Sequence, residues 1–82
     1  VEERFLGNER EWLVTFANEY VDQHIDYFIF GHRHLPIKMT LRNQTSQYIN
    51  IGEWLHSNSY AYYDGKEMQL TFFENENGRI FP

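Results

Sequence analysis

Apolar positions recur at helical spacing early in the chain and at strand spacing after it. Leu13, Phe16, Ala17 and Tyr20 stand three or four residues apart, and Val21 and His24 extend the stripe. Glu9, Glu11, Glu19, Asp22 and Gln23 fall mostly on the other side. Asn8 followed by Glu11 has the form of a capping box, in which each side chain bonds the other residue's backbone N–H. The pattern predicts one amphipathic helix over residues 9–23 with its stripe against a core. The period then changes. Tyr27-Phe28-Ile29-Phe30 is a run of bulky β-formers without polar alternation, which predicts a strand buried on both faces. Ile37, Met39 and Leu41 alternate with Lys38, Thr40 and Arg42, the pattern of a half-buried strand over 37–42. Residues 43–46 read as a turn, 48–51 as a strand closed by Gly52, and 59–63 as another. Asp64-Gly65 is the strongest short hairpin signal in the chain, with the return strand over 68–73. The tail over 75–79 is polar and turn-like, and there is no internal repeat.

These elements predict an α/β fold of the α+β kind: one N-terminal helix, a buried strand, and an antiparallel β-meander. Successive strands then alternate in direction. The 32–34 loop and the 52–57 loop consequently open at the same end of the sheet. In open α/β sheets ligands gather outside the carboxyl ends of the strands. His32, His34, Glu53, Trp54 and His56 all belong to that end.

A chain of 82 residues is one domain at most, with a modest core. It has no cysteine, which removes disulfides and thiolate metal sites and fits a reducing compartment. A metal here would have to sit on His, Asp, Glu or Asn, a donor set suited to Mn, Fe, Zn, Ni or Mg. The net charge of −5 argues against broad nucleic-acid or anionic-membrane binding, which needs basic patches. Aromatics make up 18% of the chain, so much for a short acidic sequence that it is expected to pack against more than itself. No apolar run approaches the roughly 20 residues of a membrane span. The chain starts at Val1 and is expected to be a piece of a longer protein.

His32-Arg33-His34 carries the candidate chemistry. Imidazole is neutral near pH 7 and offers an sp² lone pair, so it is the commonest side-chain ligand of first-row metals. Two imidazoles do not complete a site, because catalytic metals take three or more protein ligands and keep an open position. Their place after a buried strand and Gly31, which would let the chain turn sharply, favours ligands over a structural role. Arg33 could reach a phosphate bidentately, or pair with a carboxylate outside this chain. Trp54 and His56 are candidate substrate contacts, with packing the competing role for Trp54. His24 is expected to be buried or to cap its helix. Lys38 and Arg42 are expected on a solvated face.

Asp26 to His34, a hydrophobic strand followed by glycine-His-x-His, resembles the last metal-binding motif of the calcineurin-like metallophosphoesterases. Tyr48 to Trp54 looks like that family's next strand and its glycine-containing loop. Within the family, the branch that hydrolyses UDP-2,3-diacylglucosamine in lipid A synthesis is the most similar. The resemblance implies that residues 1–82 are the C-terminal portion of a single domain, a β-sandwich flanked by helices. It implies two divalent cations, Mn before Fe, Zn or Ni, with His32 binding one and His34 the other, and no residue here as a further catalytic group. It implies attack of water on a phosphorus of the UDP-sugar, releasing UMP and lipid X. It implies a cytoplasmic protein with peripheral contact at the inner face of the inner membrane. The family's earlier motifs are missing from these residues, so the fragment alone is expected to be inactive and to self-associate through an uncovered strand edge. Two other readings stay open: a different phosphodiesterase or phosphatase of the same family, and a non-catalytic β-rich interaction module.

Overall fold

A computed structural model describes residues 4–7 and 10–82. The expected cap residue Asn8 lies outside them. Helix α1 runs over Trp12–Asn18, and a 3₁₀ turn follows over Val21–Gln23. The strands are β1 Tyr27–Phe30, β2 Pro36–Thr40, β3 Gln47–Ile51, β4 Ser59–Tyr63 and β5 Met68–Phe72.

The single helix expected over 9–23 is therefore a shorter helix and a separate turn. Its buried positions are Leu13, Val14 and Ala17, joined by Val21 from the 3₁₀ turn. Phe16 and Tyr20 of the predicted stripe are exposed instead, their rings in tilted contact with centroids 5.0 Å apart. His24 is neither buried nor on the stripe. It is exposed and ends the 3₁₀ turn in the left-handed conformation, with φ 60.

The sheet departs from a meander. Strand order in the first sheet is β1-β3-β2, with β1 parallel to β3 and β2 antiparallel to it. Strands β4 and β5 form a separate antiparallel pair. The alternation of strand direction holds across β1, β2 and β3, but β2 lies beyond β3 rather than beside β1. The strand buried on both faces is β3: Tyr48, Ile49 and Asn50 are all 0% exposed. Strand β1 is an edge, and its Ile29 is 47% exposed.

Pairing in register puts Phe28, Tyr48 and Met39 in one row, and Phe30, Asn50 and Ile37 in the next. Side chains two apart along a strand share a face. Leu13, Val14, Ala17 and Val21 pack with Phe28, Ile37, Leu41 and Tyr48 to form the core on that face. On the opposite face, the Tyr27 hydroxyl accepts a hydrogen bond from Met68 N at 3.2 Å, and Lys38 Nζ donates to Met68 O at 3.0 Å. Lys38 thus ties the two sheets together rather than lying on a solvated face. Arg42 is exposed as expected, with Nε donating to Asn18 O at 3.0 Å.

The Asp64-Gly65 hairpin forms, with Tyr63 opposite Met68 and residues 64–67 as the loop. Asp64 Oδ1 accepts from the N–H groups of Lys66 and Glu67, both at 2.8 Å, while Gly65 takes φ 97. These bonds hold the Asp64 carboxyl below the usual carboxylate range. The chain's last residues cover the outer edge of β2: Phe81 N donates to Pro36 O at 2.9 Å, and Lys38 N donates to Phe81 O at 2.8 Å.

Candidate functional site

The sharp turn after β1 is made by His32, not Gly31. Arg33 N donates to Gly31 O at 2.9 Å across His32, whose φ is 72. That is a γ-turn bond with a positive central φ, a strained arrangement for a residue with a side chain. Gly31 itself has no positive φ, and a methyl group at its Cα would meet open space. Strain of this kind persists only where surrounding contacts over-determine it.

Two sets of contacts hold the turn. The first comes from β3. Asn50 Nδ2 donates to Gly31 O at 2.7 Å, and Asn50 Oδ1 accepts from Gly52 N at 3.2 Å. One buried amide therefore joins the start of the histidine turn to the start of the 52–57 loop, and both loops open at the same end of the sheet, as the strand directions predicted. The same Nδ2 lies 3.4 Å from the Tyr48 hydroxyl. Burial pushes the Tyr48 hydroxyl above its ordinary value, against the opposing effects of Asn50 and Arg33, so it remains neutral.

The second set comes from the N-terminal segment. Arg33 Nε donates to Glu11 Oε1 at 3.0 Å and its Nη2 to Glu11 Oε2 at 3.2 Å, a bidentate pair. The Glu11 side chain is 1% exposed and that of Arg33 16%. Glu11 Oε2 also accepts from Leu6 N at 2.8 Å, and Arg33 Nη2 donates to Arg4 O. The carboxylate expected outside this chain as the partner of Arg33 is thus Glu11 within it. Glu11 is the N-cap residue of α1, but its side chain makes no capping bond. Next to it, the Trp12 ring meets His32 edge-on at 6.3 Å between centroids.

His32 and His34 are both exposed. Two imidazoles on one turn fit a divalent first-row cation as part of a donor set. Among the described residues, no group of three or more His, Asp or Glu side chains could hold a metal ion. Glu53 points elsewhere. It accepts from Ser57 N at 2.6 Å, from His56 N at 2.9 Å, and contacts His56 Nδ1 at 3.1 Å. Burial works against its ionisation, but these bonds win and hold its carboxyl down to about 2. His56 is exposed beside it.

Trp54 is 52% exposed and begins an aromatic row on the surface. It stacks on Phe73 at 5.8 Å and meets Tyr60 at 6.2 Å, which in turn lies 6.2 Å from Tyr62. Its packing is therefore surface packing. A cavity of about 460 Å³ lies toward the other end of the sheet, lined by Tyr27, Lys38, Gln47, Tyr63 and Lys66 among others, away from the histidines. Of the two residues that hold the histidine turn, Asn50 was not singled out from the sequence and Glu11 only as part of a capping box. Asn50 gave a signal, since an amide inside Tyr48-Ile49-Asn50-Ile51 must find partners if buried. Glu11 reads as a helix-capping residue instead, because its place three residues after Asn8 fits that motif.

The chain is homologous to part of a hydrolase. That relative is the UDP-2,3-diacylglucosamine hydrolase of Porphyromonas gingivalis (strain ATCC BAA-308 / W83), 44% identical over 73 residues. The match takes in 87% of this chain and 28% of the relative, so the chain spans little more than a quarter of that protein's length. The resemblance read from the histidine turn and the Gly52–Trp54 loop is borne out at the level of this hydrolase. No family model matches the chain, and no solved structure matches it.

Proposed function

We propose that the chain is part of a metal-dependent phosphohydrolase that cleaves UDP-2,3-diacylglucosamine to UMP and lipid X. The observation that carries this reading is the identity to UDP-2,3-diacylglucosamine hydrolase across 73 residues that include the histidine turn's own strand and loop neighbours. In this reading His32 and His34 each give one nitrogen to a pair of divalent cations, with manganese the preferred metal. Bound there, such a pair would acidify water, orient the phosphoryl group and stabilise charge on its oxygens. The remaining ligands come from outside the residues described, in a domain of the calcineurin-like kind. Arg33 is committed to Glu11, so its part is to hold the turn. Trp54 and His56, exposed at the same sheet end, are the substrate contacts in this reading.

The test is hydrolysis of UDP-2,3-diacylglucosamine by the full-length protein with Mn²⁺, read as UMP release. His32→Ala and His34→Ala should each lower the rate by about 10²-fold or more, the scale expected when an electrostatic group at a reacting phosphate is lost. The 82-residue chain alone should release none. Full-length protein that leaves this substrate intact, or that is indifferent to both substitutions, would overturn the proposal.

A further inference from the structure

We infer that Glu11 is a positioning residue for His32 and His34, acting through Arg33. The inference rests on the metal-site reading above and deepens it. Arg33 stands between the two histidines in sequence, so whatever fixes its side chain fixes the backbone on both sides. The left-handed turn at His32 leaves the Arg33 side chain 16% exposed while both neighbouring histidines are exposed. The Glu11 fork at 3.0 and 3.2 Å takes hold of the guanidinium inside the protein and leaves both imidazoles exposed. Leu6 N also donates to Glu11, and Arg33 also donates to Arg4 O. From the other side, Asn50 pins Gly31 O. The left-handed His32 lies between these two anchors, which over-determine a conformation it would not adopt alone.

A stability role does not account for this pair. Taking both charges out of water offsets most of their attraction, and well-packed apolar replacements of buried pairs are often as stable. What an apolar pair cannot do is orient: its contacts are non-directional, whereas a bidentate fork sets both angle and distance. Partners that orient metal ligands typically change metal affinity about 10- to 100-fold when removed.

The experiment uses the full-length protein and replaces both partners together, Glu11→Leu with Arg33→Met, so that no charge is left buried alone. Thermal unfolding should stay within a few degrees of the parent. Mn²⁺ affinity, measured by titration, should fall about tenfold or more. In the metal-free protein, the His32 and His34 imidazole signals in ¹H–¹⁵N spectra should move, which a purely stabilising pair would not require. Unchanged affinity together with unchanged imidazole signals would overturn the inference. His32→Ala and His34→Ala are titrated in parallel. If they abolish Mn²⁺ binding while the double variant keeps it, positioning fails and the metal site stands. If neither histidine variant alters Mn²⁺ binding, the metal site fails and the inference falls with it.

Discussion

Gly52 leaves β3 with φ 76, and a methyl group on it would collide with Ser59 Oγ and press on Pro36 N at 3.1 Å. Left-handed backbone costs a residue with a Cβ about 1–2 kcal/mol, and the collision adds to it. Gly52→Ala should therefore destabilise by about 2 kcal/mol or more, lowering the melting temperature by about 10 °C in a domain this size. Gly31→Ala, with open space and no positive φ, should stay within about 0.5 kcal/mol. Calorimetry on the two variants separates a glycine the fold requires from one that merely precedes the histidines. Glu53 makes a prediction about pH. Its carboxyl is held down to about 2, below the ordinary 4.5, so its bonds contribute fully above the unfolded value and are lost as pH falls from about 4.5 toward 2. Glu53→Gln should cost about 1 kcal/mol at pH 7, limited because the loop is at the surface. The gap between variant and parent in urea unfolding should close as pH approaches 2.

Strands were more legible than their arrangement. β1 and β4 begin and end where the residue pattern put them, and β2, β3 and β5 differ by one or two residues. Which strand lies at the centre was misread, because Tyr27-Phe28-Ile29-Phe30 is more apolar than Gln47 to Ile51. Burial followed pairing instead: β3 bonds a neighbour on each side, and Asn50 tolerates burial because its amide is satisfied. The helix stripe was misread in part: Leu13, Ala17 and Val21 are buried as predicted, but Val14 is buried where Phe16 and Tyr20 were expected. At this scale the β4–β5 pair also stands out, since an isolated two-stranded hairpin is marginal in water. The Tyr27 hydroxyl and the Lys38 ammonium grip the two backbone groups of Met68 and moor it to the first sheet. Tyr27→Phe combined with Lys38→Met removes both bonds, each worth about 1 kcal/mol. Amide exchange in β4 and β5 should then quicken by about tenfold or more, with β3 unchanged.

The whole chain is flat, 36 × 32 × 16 Å between Cα extremes, and carries many large apolar side chains on its surface. Trp12, Ile29, Trp54, Leu55 and Phe73 are all about half exposed or more. The aromatic content had predicted packing against more than this chain, and a surface of this kind is what such packing would cover. No helix among the described residues is long and apolar enough to cross a membrane. The two edges of the first sheet differ. Phe81 closes the β2 side, while among the described residues β1 has a strand partner on one side only. An open edge pairs readily with another chain, and a charge on it discourages that. The 82-residue chain should therefore sediment as an assembly, and Ile29→Lys should shift it toward monomer.

The place of β3 also sets an order of events. Neither β1 nor β2 has a strand partner until residues 47–51 exist, because both bond to β3 and not to each other. During synthesis the histidine turn is thus made early and shaped late. It waits on Asn50, 19 residues beyond Gly31, for its last anchor, and stays an unformed loop until β3 can pair.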